Sequence, residues 1–283
     1  MNYGGMTMKL GCSTWSYHHA FDQGTIDIFR FIEICSDDLE LDGVELLDFH
    51  LDKAEVDFRE LKNYIVRQGL SISCISVSNN FGYLSEEKLK DEVNKVRRWI
   101  DITREFGAPI IRVFAGWEGP APWDDNFGTE RVERERVWPG MVRCMKECVR
   151  YGEERGILLA LENHNHRGLV HTKKDAERIL KDVDSPWFGL NIDTAGYTDH
   201  EWYEVREVDY SAIESTIDEA LQIHFKIVSP AKDSIDTVLD YERIFDILFR
   251  SRYRGFLSLE YEGEDEFEGI PRTISLIKEK LGR

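Results

Sequence analysis

Short apolar runs alternate with amphipathic stretches along the whole chain, with no linker between them. Runs at 9–14, 42–47, 70–76, 109–115, 157–162, 187–193, 222–228 and 255–260 have the length and apolar content of strands. Between them, apolar residues recur at helical spacing over 26–35, 56–68, 85–106, 131–155, 172–183, 210–220, 241–249 and 268–281. Local punctuation agrees. Gly69, Gly156 and Gly255 stand where a helix ends ahead of the third, fifth and eighth strands. Ser85 followed by Glu86 and Glu87 marks a helix start with acids in its first turn. Eight strand-helix units in 283 residues predict an α/β fold, a closed (β/α)8 barrel forming one domain over 1–283, with 1–8 as a loose N-terminal tail. A doubly wound open sheet usually has fewer units and a glycine-rich phosphate loop, which the sequence lacks.

Strand side chains alternate between faces with period two. Leu159 and Leu161 share one face of the fifth strand, Leu190 and Ile192 one face of the sixth. Ile223, Phe225 and Ile227 share one face of the seventh, and Leu257 and Leu259 one face of the eighth. These apolar faces must meet the helices, so the opposite faces point into the barrel. They carry Glu162, Asn191, Asp193, His224, Lys226 and Glu260, and the same count turns Glu45 and Arg112 inward.

Four of these side chains can ligate a metal. Glu162, Asp193, His224 and Glu260 follow one another at intervals of 31, 31 and 36 residues, each about one strand plus one returning helix. A parallel barrel gathers the C-terminal ends of its strands on one edge, so three carboxylates and one imidazole should converge. Such crowding of negative charge calls for a cation, and a divalent-metal site is the expectation. The hard donor set suits Mn²⁺ first, with Mg²⁺, Co²⁺ or Zn²⁺ as alternatives.

Composition removes other classes. The net charge is −18, from 54 acidic and 36 basic residues, which opposes binding to nucleic acid or an anionic membrane. No 20-residue apolar span and no charged-then-apolar leader occurs, giving the expectation of a soluble, cytoplasmic protein. The five cysteines form no Cys-x-x-Cys pair and read as reduced thiols; Cys144 and Cys148 lie one helical turn apart without further metal-ligand spacing. His18–His19 and His164-x-His166 are the candidates for a second metal, weighed below the first.

The strings GVEL at 43–46, ALENH at 160–164, NIDT at 191–194, His-x-Lys at 224–226, DYERIFDIL at 240–248 and LSLEYEG at 257–263 come in this order at barrel pitch. In this the chain resembles the xylose-isomerase-like TIM-barrel superfamily, in its sugar phosphate isomerase/epimerase branch. The resemblance implies one divalent ion held by Glu162, Asp193, His224 and Glu260. It also implies that the two glutamates act as an acid/base pair on opposite faces of the substrate, and it admits a homo-oligomer. One departure stands out: many members carry His or Asn shortly after the aspartate, whereas this chain reads Asp193-Thr194-Ala195-Gly196.

The expected activity is that of a metal-dependent isomerase or epimerase of a small sugar or polyol derivative. The metal polarises a carbonyl, one glutamate removes the neighbouring proton to give an enediolate, and the other returns a proton. The alternative keeps the site and changes the outcome: a lyase or dehydratase of an inosose or keto-sugar. An abasic-DNA endonuclease is disfavoured by the charge and by only eight histidines, and a carbohydrate-sensing protein without turnover is the remaining class. Trp15, Glu45, Arg112, Trp117, His164 and Lys226 are expected to contact substrate or steady the ligands. Tyr17, Phe81, Tyr83 and Trp123 are further loop aromatics on which a sugar ring could stack. No basic cluster marks a phosphate site, so an unphosphorylated carbohydrate is expected.

Overall fold

The computed structural model describes residues 8–126, 128–198, 208–232 and 234–283; residues 1–7 of the expected tail lie outside it. Eight strands pair in parallel and close into a barrel in sequence order. They are β1 (Lys9–Ser13), β2 (Gly43–Leu47), β3 (Ser71–Ser76), β4 (Ile110–Phe114), β5 (Leu158–Glu162), β6 (Phe188–Asp193), β7 (Ala220–Ile227) and β8 (Phe256–Tyr261). The major returning helices are α2 (Ile28–Glu33), α4 (Phe58–Arg67), α5 (Glu86–Phe106), α6 (Arg134–Glu153), α7 (Lys173–Val183), α8 (Tyr210–Thr216), α9 (Tyr241–Arg250) and α10 (Glu266–Leu281). Two short helices, α1 (His18–Asp22) and α3 (Asp48–Ala54), are additions to the expected pattern. Both sit in the loops that follow β1 and β2, at the C-terminal edge of the barrel.

The outward faces build the core. Ile111, Val113, Leu159, Leu161, Leu190, Ile192, Phe225, Leu257 and Leu259 are all buried. Ser85 accepts a hydrogen bond from Lys88 N and starts α5, while Thr172 and Asp175 cap α7 reciprocally. Gly69 and Gly156 adopt positive φ as helix stops should. Gly255 does not; a Cβ there would meet the Tyr253 ring, so close packing requires glycine at that position.

Most of the inner-facing residues below the C-terminal edge are polar. Glu45, Ser76, Asn191, Gln222, His224 and Ser258 are all fully buried. Glu45 on β2 accepts hydrogen bonds from Ser258 Oγ (2.6 Å) and Gln222 Nε2 (2.7 Å), and from Ser76 Oγ. Strands β2 and β7 are not neighbours, so the Gln222–Glu45 bond crosses the lumen. Register shifts fall at Val44/Glu45 and Leu190/Asn191, beside the inward-facing Glu45 and Asn191.

Leu161→Ala tests the outward packing of β5. Leu161 is fully buried, and truncation should cost about 2–5 kcal/mol in urea unfolding. A loss below about 1 kcal/mol would contradict it.

Candidate active site and metal centre

The site forms where β5–β8 end. Asp193 and His224 are level in the β6–β7 register, and Lys226 is level with Glu260 in the β7–β8 register. His224 therefore lies deeper than Glu260, three residues before its strand ends, and reaches the buried layer below. Its Nε2 lies 2.8 Å from Glu45 Oε1, and its Nδ1 faces Glu162 Oε2 at 3.3 Å and Glu260 Oε1 at 3.2 Å. Potential ligand atoms of Glu162, Asp193 and Glu260 lie within 4.8 Å of one another, as do those of Glu45, His224 and Glu260.

This arrangement passes a test of fit for a divalent ion. The carboxylate of Glu45 takes the Nε2–H of His224, which leaves Nδ1 to carry a lone pair. That buried Nδ1 has no hydrogen bond, and it points between two carboxylates. Only a second proton on the ring or a cation between the groups relieves the repulsion. Burial alone would lower the His224 pKa, but Glu260, Glu45 and Glu162 outweigh it and hold the ring well above the ordinary histidine value. Glu162, Asp193, His224 and Glu260 are thus the residues that could hold a metal.

The carboxylates are differently placed. Burial would raise the pKa of Glu162, but His224 and Arg112 overcome it and hold the group well below the usual carboxylate range. Arg112 Nε lies 3.0 Å from Glu162 Oε2, with the guanidinium carbon 4.0 Å from the Phe114 ring centroid. Asp193 is pushed up to about 7 by burial, aided by Glu162 and Glu260 and opposed by Lys226. Its backbone N–H donates to Asn163 Oδ1 (2.9 Å), and its Oδ1 accepts from Ala195 N (2.7 Å). Lys226 Nζ donates to Glu260 Oε2 (3.1 Å) and lies 2.5 Å from Glu262 Oε1. Burial works against its charge, but Glu262 and Glu260 keep it strongly protonated.

A cavity of about 730 Å³ opens over this floor. Trp15, Arg112, Glu162, His164, Asp193, Lys226 and Glu260 line it. Glu45 lies beneath, steadying His224 rather than facing the cavity. Trp117 does not line it either: this residue is 1% exposed and packs behind Phe114, with ring centroids 5.0 Å apart. Tyr17 and Phe81 are likewise buried. Aromatic residues near strand ends serve the rim as packing as often as they face a ligand, and sequence spacing cannot separate the two. Of the second-metal candidates, His18 and His19 come together with Glu266, but both Glu266 oxygens already accept backbone N–H groups of His19 and Ala20. His164 and His166 join no metal-ligating group among the described residues.

The sequence reading missed Glu262, Phe49 and Phe114. Glu262 pairs with Lys226 and accepts from Trp15 Nε1 at 2.9 Å. A signal existed, since Glu262 follows Glu260 by two and shares its parity. Phe49 had none, because it sits in the unforeseen α3. His166 and Arg167 have positive φ values of 54° and 62°, an unusual backbone for residues with side chains, in the loop that carries His164.

Titrating Mn²⁺ into metal-free protein should show one equivalent bound and a raised Tm, both lost in His224→Ala. In metal-free protein the raised Asp193 value favours the fold below about pH 4, and this contribution is lost as pH rises to about 7. Asp193→Asn should therefore gain stability relative to the parent over that interval in urea unfolding; no change in the difference with pH would sink the assignment.

An inosose dehydratase of Lactiplantibacillus plantarum is 22% identical over 260 residues, covering 83% of this chain and 78% of that protein. A solved L-ribulose 3-epimerase superposes with a TM-score of 0.74 at 16% identity, over 98% of this chain and 95% of its own. The 3-keto-D-glucoside 4-epimerase of E. coli gives 0.74 at 18% identity, over 96% of this chain and 100% of its own. The model of the xylose isomerase-like TIM barrel family matches residues 20–280, and the chain belongs to that family.

Proposed function

We propose that this protein is a divalent-metal-dependent isomerase or epimerase of a sugar or polyol derivative, acting by proton transfer at a carbon beside a carbonyl. The observation that carries the reading is the pair Glu162 and Glu260, which both approach His224 Nδ1, at 3.3 Å and 3.2 Å, at the floor of the cavity. A divalent ion bound by Glu162, Asp193, His224 and Glu260, Mn²⁺ by preference, supplies Lewis acidity at the carbonyl.

The protein's own groups do the rest. One glutamate takes the proton from one face of the substrate and the other returns a proton from the opposite face. His224 and Arg112 keep Glu162 in the ionised form a base requires, at the cost of weakening it as a base. Lys226, held charged by Glu260 and Glu262, offers a donor to negative charge developing on a substrate oxygen. His164, its pKa lowered chiefly by burial, is a neutral partner for a hydroxyl.

A dehydratase of an inosose or keto-sugar is the second reading, favoured by the curated inosose dehydratase relatives. It shares the proton-abstraction step and differs in the loss of a neighbouring hydroxyl, to which Lys226, a charged donor lining the cavity, could give a proton. Incubating Mn²⁺-loaded protein with ketoses and inososes in deuterated water separates the two. An epimerase changes the sugar ratio and labels the carbon beside the carbonyl, whereas a dehydratase produces a new enone or diketone absorbance. Glu162→Gln and Glu260→Gln should each lower turnover about 10²–10⁴-fold. Unchanged label incorporation in both variants would overturn the acid/base assignment.

A further inference from the structure

The cavity is built in two chemically distinct halves. Its floor is charged, with Arg112 paired to Glu162 and Lys226 to Glu260 and Glu262. Its upper walls are apolar. Trp15 and Phe49, from the loops after β1 and β2, meet edge to face with centroids 6.4 Å apart on one side. Phe114 and Trp123, centroids 5.9 Å apart, form the other, with Pro122 and Val228 nearby. Trp15 and Phe114 mark the boundary, the first donating to Glu262 and the second stacking on Arg112.

Two of these wall residues are exposed out of keeping with their chemistry. Trp123 is 55% exposed and Phe49 40% exposed, and they are two of six large apolar side chains so exposed among the described residues. Both line the same cavity. Leaving large aromatic surface in water is unfavourable at about 25 cal/mol per Å², and a ligand that covers it recovers that term. The volume points the same way. About 730 Å³ lies in the upper part of the 300–1,000 Å³ range of pockets that enclose drug-sized ligands, well beyond a six-carbon sugar. A bare sugar, with hydroxyls on every edge, would leave most of those walls uncovered and would find few free polar partners on them.

We propose that the substrate is a keto-sugar derivative with a glycoside-like substituent: its carbonyl-bearing sugar end sits on the carboxylate floor, and a flat apolar group, such as an aryl aglycone, lies between Trp15–Phe49 and Phe114–Trp123. This rests on the carbohydrate reading above and narrows it to a substrate class. The Trp123 and Phe49 rings are then specificity-determining contacts that never touch the reacting carbon.

The test compares phenyl β-D-glucoside with methyl β-D-glucoside, both of which lack the carbonyl and so serve as non-reacting binding probes, on Mn²⁺-loaded protein by calorimetry. The phenyl glucoside should bind at least tenfold more tightly. Trp123→Ala and Phe49→Ala should bring that ratio toward one, whereas Val66→Ala, an exposed apolar residue outside this cavity, should leave it as in the parent. Equal binding of the two glucosides, or a ratio indifferent to Trp123 and Phe49, overturns the proposal. So does a change of oligomeric state in those variants with the ratio untouched, which would assign the apolar mouth to a second copy of the chain. Binding of neither glucoside also overturns it. Whether the broader function falls with it is read separately, from Mn²⁺ stoichiometry and deuterium incorporation into ketoses.

Discussion

The hydrogen bond between Glu45 and His224 governs the rest of the site. It joins β2 to β7 across the lumen and is buried on both sides. By taking Nε2, Glu45 fixes which imidazole nitrogen is left for the cavity and the plane in which the ring lies. Glu45 is itself held by Ser76, Gln222 and Ser258, from three different strands. A buried carboxylate is tolerable only when so fully partnered. Much of the barrel interior here is therefore a polar network, where many barrels fill it with bulky apolar side chains. The network orients His224, and the orientation makes the floor capable of holding a cation.

Charge balance decides how that floor works. Glu45, Glu162, Asp193, Glu260 and Glu262 bring five carboxyl groups into the region, against the permanent charges of Arg112 and Lys226. The two cations do not neutralise the group evenly. Arg112 favours Glu162, Lys226 favours Glu260 and Glu262, and Asp193, farthest from full compensation, is the carboxyl pushed up by burial and its acidic neighbours. A divalent ion held there would complete this balance, where protons would otherwise have to. The same distribution leaves the upper cavity with no charge to satisfy, and aromatic rings occupy it.

Much of this was legible in the sequence because two periods coincide. The two-residue alternation of strands sorted Glu162, Asp193, His224 and Glu260 onto one face, and the strand-plus-helix repeat brought them to one edge. Glu45 and Arg112 were readable by the same parity, although their partners were not. The short helices α1 and α3 escaped notice because each precedes the returning helix of its own unit, where a strand-plus-helix repeat assigns only a loop. With α3 went Phe49, and with it the character of one cavity wall. Trp117 and Trp123 look alike in a sequence, yet one is 1% exposed and the other 55%. What separates them is the close contact of Gly82 and Gly116 with the loop backbone after β3 and β4, a long-range fit no local pattern records.

The sequence by itself determined the barrel, the inward set of side chains and the gathering of three carboxylates with one imidazole. Those follow from local periodicity and from the rule that parallel strands end together. Tertiary structure alone decided the depth of His224, the bond that frees its Nδ1, the partner of each charge and the aromatic mouth. Each depends on the stagger between strands and on loops meeting across the rim, and such distances are set by packing between residues far apart in the chain.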